Sequence, residues 1–152
     1  MKVSLLSSLL CLLLGGFAFA EEVAFEKLTL TEEFHSEGIA VADLDRDGQA
    51  DVVSGPYWYR GPGFRERQRY AAGNPLPIKG YSKHFFTWTY DFNEDGFVDI
   101  LAVGMPGDPA LWFQHPGTDL ESGAHWVKRK VHDDISNESP EFIDINGDSI
   151  PE

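Results

Sequence analysis

The sequence predicts an all-β fold assembled from repeated four-stranded units, and three observations carry that prediction. A nine-residue acidic turn occurs three times, starting at residues 43, 91 and 144. The two complete copies each lie between short runs of β-branched, aromatic or alternating apolar residues, the habit of strands that enter and leave a turn. Beyond the amino-terminal apolar run, no stretch shows the apolar spacing of an amphipathic helix.

The amino terminus is set aside first. Lys2 precedes an apolar run from Leu5 to Phe17, and Ala18-Phe19-Ala20 forms a small-x-small cleavage site ahead of Glu21-Glu22. Residues 1–20 are therefore expected to be a signal peptide, and the protein to be exported to the periplasm, cell surface or medium. The run is shorter than the roughly 20 apolar residues a membrane span needs, so no span is expected after cleavage. Cys11 is the only cysteine and would leave with the leader. Lipidation there is disfavoured by Leu10, which stands where a small residue is expected. The mature chain, residues 21–152, then has no disulfide to hold its loops.

Net charge is −13, with 25 acidic against 12 basic residues, and cleavage removes Lys2 as well. Such a balance argues against nucleic acid or an anionic membrane surface as a partner. Much of the acidity is concentrated in the three turns.

The first turn, residues 43–51, runs Asp43-Leu44-Asp45-Arg46-Asp47-Gly48-Gln49-Ala50-Asp51. Side-chain oxygens at positions 1, 3 and 5 point into one tight turn, Gly48 permits the positive φ that closes it, and Asp51 at position 9 caps the far side. Residues 91–99 repeat it with Asp91, Asn93, Asp95, Gly96 and Asp99. In the third copy, 144–152, Asp144, Asn146 and Asp148 are in place, the glycine comes early at Gly147, Ser149 holds position 6, and Glu152 holds position 9.

Gly38 to Asp43 and Asp51 to Gly55 are the expected strands around the first turn; Phe85 to Tyr90 and Asp99 to Gly104 are those around the second. A third strand carries Trp58-Tyr59 in one unit and Trp112-Phe113 in the other, each ending in a Pro-Gly turn. A fourth, Trp126 to Val131, closes the second unit and has a less clear counterpart near Arg67 to Tyr70. Shifting the chain by 101 residues places Trp126 on Phe25, so Phe25 to Leu30 is the equivalent segment ahead of the first turn. Ala71 to Gly80 and Met105 to Ala110, rich in Gly and Pro, are expected to be inserted loops. Four short strands per unit of about 50 residues is the pattern of a β-propeller blade, and a sandwich or solenoid fits it less well.

Asp43-x-Asp45-x-Asp47-Gly48-x-x-Asp51 followed by an apolar strand resembles the FG-GAP/VCBS repeat of integrin-α-like β-propellers. The resemblance covers nearly all of the mature chain. It implies blades around an axis, typically seven, with Ca2+ held between the first two strands of a blade. The implied ligands are the side chains of Asp43, Asp45, Asp47 and Asp51 with the carbonyl of Gln49, and those of Asp91, Asn93, Asp95 and Asp99 with the carbonyl of Phe97. The third set would be Asp144, Asn146, Asp148 and Glu152, where the pattern departs at Gly147, Ser149 and Glu152. An EF-hand loop is the chief rival, but it needs an acidic residue at position 12, where this chain has Ser54 and Ala102, and a helix behind it. A metal-free Asp-Gly hairpin is the simpler rival; four anionic groups in nine residues repel one another unless a cation is present.

Function is expected to be that of an exported binding module for a glycan or protein ligand, with calcium in a structural role. The alternative is part of a carbohydrate-active enzyme, a polysaccharide lyase or glycosidase. Its candidate groups are His84, His115, His125, His132 and Glu138, which no spacing ties together. The aromatics Tyr57, Trp58, Tyr59, Trp88, Trp112 and Trp126 could stack on sugars, but their recurrence favours packing between units. Ligand contacts are expected instead on the irregular loops. Two units and the start of a third do not close a ring, so the chain is expected to be a fragment with further blades elsewhere, or to close by oligomerisation.

Overall fold

The computed structural model describes residues 23–136 and 138–152. The expected leader, residues 1–20 with Cys11, lies outside them. Eight strands form two four-stranded antiparallel sheets, each a meander in chain order. Strands β1 (Ile39–Ala42), β2 (Asp51–Ser54), β3 (Tyr57–Tyr59) and β4 (Arg67–Arg69) make the first. The second consists of β5 (Phe86–Tyr90), β6 (Asp99–Val103), β7 (Ala110–Gln114) and β8 (Val127–His132). Both expected sets of strands are present, including the less clear β4, and the acidic turns connect β1 to β2 and β5 to β6.

Period-two alternation gives each sheet two distinct faces. In the first sheet Ala40, Val53 and Trp58 lie side by side across three strands, and Ala42 lies beside Asp51. In the second, Thr89, Ile100 and Phe113 form one such row and Thr87, Ala102 and Leu111 the next. These two faces pack together. The shared core contains Val53, Trp58, Ile100, Ala102 and Phe113, with Leu44 and Leu120 filling in from the loops. Tyr70, just past β4, and Trp126, just before β8, close the outer side: the Trp126 amide donates to the Tyr70 carbonyl at 2.8 Å, and their rings lie 5.4 Å apart.

At the inner side β1 lies against β5. Gly38 donates its amide to the His84 carbonyl at 3.0 Å, and a Cβ on Gly38 would come within 2.7 Å of that same oxygen. The close approach therefore requires glycine. A short 3-10 turn at Gly117–Ser122 buries Leu120.

Two expectations need correction. Phe25 to Leu30, aligned with the fourth strand Trp126 to Val131, contains no strand, and Phe25 is 93% exposed where its counterpart Trp126 is 6% exposed. A strand needs a neighbour for its amides and carbonyls; β8 has β7, whereas no described strand pairs with Phe25 to Leu30. The second correction is small: Ala110, placed in the loop from Met105, already begins β7. Among the described residues no helix is long and apolar enough to cross a membrane.

Candidate metal centre

Each acidic turn is folded by its own carboxylates. In the first, Asp43 accepts the amides of Asp47 at 3.1 Å and Gly48 at 2.9 Å, and the Gln49 amide donates to Asp47 at 2.7 Å. The second repeats this: Asp91 accepts Asp95 at 3.0 Å and Gly96 at 2.8 Å, and Phe97 donates to Asp95 at 2.9 Å. In the third, Asp144 accepts Gly147 and Ser149, while Ile150 donates to Asp148. Those two amides hold the exposed Asp144 carboxyl below its ordinary value.

Position 9 closes the turn. The amide at position 2 donates to the position-9 carboxylate in all three copies: Leu44 to Asp51 at 2.9 Å, Phe92 to Asp99 at 3.2 Å, and Ile145 to Glu152 at 3.0 Å. Asp51 and Asp99 are wholly buried, and the second oxygen of each accepts an amide from just beyond the third strand, from Gly61 at 2.8 Å and His115 at 2.7 Å. Burial pushes both carboxyls up, and those amides oppose the shift. A buried carboxylate held by two amides ties turn, strand and following hairpin together.

Backbone geometry explains the displaced glycine of the third copy. Positions 4 and 6 are both left-handed: Arg46 and Gly48 at φ 62° and 85°, Glu94 and Gly96 at 59° and 86°, Gly147 and Ser149 at 87° and 71°. Each turn thus has one glycine for two left-handed positions. The third copy exchanges which of them receives it.

In the first turn, oxygens of Asp43, Asp45 and Asp51 all lie within 4.8 Å of one another. Arg60 approaches from the end of β3, its Nε 2.6 Å from Asp45 Oδ2. Its guanidinium also pairs with Glu121 and Glu66. Position 3 is asparagine in the other copies. There the side-chain amide donates to a neighbouring carboxylate, Asn93 to Asp95 at 2.8 Å and Asn146 to Glu152 at 2.6 Å. Arg60 stands against the additional carboxylate of the first copy and shares its charge among Asp45, Glu66 and Glu121. All the donors are oxygens, the set a hard cation such as calcium takes, and clustered carboxylates fit a cation that relieves their repulsion. The twelfth position offers no acidic ligand to the first two turns: Ser54 and Ala102 stand there, paired within β2 and β6.

The histidine candidates do not assemble. His84 is buried, its Nδ1 3.2 Å from the Tyr70 hydroxyl, and burial lowers its pKa to about 4. Tyr70 gives its proton to the Gly55 carbonyl at 2.7 Å, so His84 is the donor in that pair. His115 accepts the Gly117 amide at Nδ1 and therefore donates from Nε2 to the Leu44 carbonyl at 3.0 Å, which links the second turn to the first. His125, His132 and Glu138 are exposed. Trp58, Tyr59 and Trp126 are buried, while Tyr57, Trp88 and Trp112 are half-buried, in keeping with packing between units.

Sequence reasoning missed Arg60 and Glu37. A lone arginine in a Pro-Gly hairpin carries no signal of its partner Asp45, fifteen residues upstream, until the strands are paired. Glu37 accepts the hydroxyl of Ser82 at 2.6 Å and borders an open cleft of about 430 Å³, lined also by Phe86, Trp88, Glu141 and Phe142. Its alignment with Glu138 was the available signal. No protein-family model, curated protein or solved structure matches this chain.

Proposed function

We propose that this protein is an exported, calcium-stabilised module built of β-propeller-type blades, which binds a glycan or protein ligand. The observation that carries the reading is the three-fold recurrence of one turn, in which every copy has the position-2 amide on the position-9 carboxylate, the position-7 amide on the position-5 carboxylate and the same pair of left-handed positions. Asp43, Asp45, Asp47 and Asp51, with the Gln49 carbonyl, would hold the first ion. Asp91, Asn93, Asp95 and Asp99, with the Phe97 carbonyl, would hold the second, and Asp144, Asn146, Asp148 and Glu152 the third. The resemblance to FG-GAP/VCBS repeats supports calcium, and the all-oxygen donor set agrees with it. Calcium here contributes folding free energy: it offsets the mutual repulsion of the carboxylates in a chain whose residues 21–152 contain no cysteine. Ligand contacts then belong to irregular segments such as Ala71 to Gly80 and to the cleft beside Glu37 and Trp88, which the rigid sheets hold in place.

Thermal unfolding in calcium and in EDTA tests this. Saturation to 100 times Kd stabilises a protein by about 2.7 kcal/mol per independent site, so chelation should lower Tm by several degrees. The variant Asp43→Ala should lose part of that difference, since it removes the carboxylate that organises the first turn. An unchanged Tm after chelation would sink the structural-calcium reading.

A further inference from the structure

We infer that the first two acidic turns bind calcium cooperatively and that His115 is the positioning residue that couples them, so that an ion in either turn raises the affinity of the other. The inference rests on the calcium reading of the turns and goes beyond it, since that reading leaves each turn a separate site.

His115 stands immediately after β7 and holds both turns. Its backbone amide donates to Asp99, position 9 of the second turn, at 2.7 Å. Its imidazole lies parallel to the ring of Phe97, position 7 of that turn, with 5.1 Å between ring centres and 7° between planes. On its other side Nε2 donates to the Leu44 carbonyl at 3.0 Å, and the Gly117 amide on Nδ1 selects the tautomer that does so. Leu44 is position 2 of the first turn, between Asp43 and Asp45, and its own amide donates to Asp51 at 2.9 Å. Contacts running from Asp99 through His115 and Leu44 to Asp51 thus join the buried carboxylate of one turn to that of the other.

Burial makes this connection stiff. Leu44 is 1% exposed and His115 4%, so water has little access to the bond between them when either turn loosens. A buried donor left without its acceptor shifts an equilibrium by about fivefold or more. An ion in the second turn, held by Asp99 and the Phe97 carbonyl, immobilises the two groups that orient His115. The imidazole in turn fixes Leu44, and with it the spacing of Asp43, Asp45 and Asp51. Part of the ordering that the first turn requires is then already met when its own ion arrives. Linkage makes the effect reciprocal.

Two comparisons within the chain mark the link as particular to this joint. In the first unit the residue equivalent to His115 is Gly61. Its amide donates to Asp51 at 2.8 Å as that of His115 does to Asp99, but it has no side chain with which to reach another turn. In the third turn the position-2 residue, Ile145, is 76% exposed where Leu44 is sealed, so the third turn is expected to bind on its own. Arg46, at position 4 of the first turn, also lies over the Phe97 ring at 5.1 Å, an exposed contact weaker than the buried bond.

Calcium titration of the full chain, followed by NMR at the amides of Gly48, Gly96 and Ser149, tests the coupling. Each of these amides donates to the position-1 carboxylate of its own turn, so each reports one site. Asp95→Ala should move the Gly96 response to far higher calcium and raise the midpoint at Gly48 about fivefold or more, the lower end of ordinary coupling between sites. Ser149 should not move. Asp47→Ala should raise the Gly96 midpoint by the same factor. His115→Phe keeps the backbone amide and an aromatic ring beside Phe97 but removes the donor to Leu44; in that background Asp95→Ala should move the Gly48 midpoint by no more than about twofold, the scatter of independent sites. Near-ultraviolet circular dichroism checks that each variant is folded, and Asp95→Asn and His115→Leu take their places where one is not. A Gly48 midpoint indifferent to loss of the second site, or a shift that persists in full without the imidazole, overturns the coupling and leaves the calcium reading intact. Silence at all three amides removes the calcium reading and the coupling with it.

Discussion

Arg60 decides how much negative charge the first turn carries. It pairs with Asp45 at 2.6 Å while reaching Glu121 in the second unit, so it serves the turn and the contact between sheets at once. Arg60→Ala should cost about 1 kcal/mol without calcium, the scale of a partly exposed ion pair, and should enlarge the Tm gain on adding calcium. Calorimetry with and without EDTA reads both effects. His84 gives a second residue-scale prediction. Its pKa in the fold is about 4 against an ordinary 6.5, so the unfolded chain binds the extra proton between those values and stability falls as pH drops through that window. The full gap corresponds to a loss on the order of 3 kcal/mol by pH 4. His84→Phe, which keeps the stacking with Phe113, should flatten the slope of stability against pH from 6.5 to 4.

At the scale of one element, the turn is a backbone shape before it is a set of ligands. Two left-handed positions and one glycine recur in all three copies, so a non-glycine residue always bears the cost of the other, about 1 kcal/mol. Ser149→Gly should therefore stabilise the third turn by up to about 1 kcal/mol, and Gly48→Ala should destabilise the first by a similar amount. Urea melts of the two variants should move in opposite directions. The turn was legible in sequence because its acidic spacing is local. That Gly147 lies at the other left-handed position was not, because φ is not written in residue identity when Arg46 and Glu94 adopt the same conformation.

The two sheets behave as one body because their core is shared. Phe113 of the second sheet lies edge-on to Tyr70 of the first at 5.2 Å, and Leu44, from the first turn, is sealed beneath the second unit through the His115 bond to its carbonyl. Phe113→Ala should cost about 3 to 5 kcal/mol and should reduce amide-exchange protection in β2 and β3 as much as in β6 and β7. Loss confined to the second sheet would show that the sheets unfold separately.

Strand positions, the recurrence of the turn and the all-β class follow from the sequence alone, because alternation and turn chemistry act over a few residues. Val52-Val53 and Ile100-Leu101-Ala102 read as strands wherever they stand. The tertiary structure decided what depends on a neighbour. Phe25 to Leu30 has the residues of a fourth strand, but no strand among the described residues pairs with it. His115, a candidate catalytic group by residue type, became a tie between two turns once Leu44 came within 3.0 Å. Ile39 and Val41, unremarkable in an alternating strand, stand exposed because Ala40 and Ala42 between them face the core. Local chemistry sets which elements form; which of their faces and edges find a partner is settled only when the elements meet.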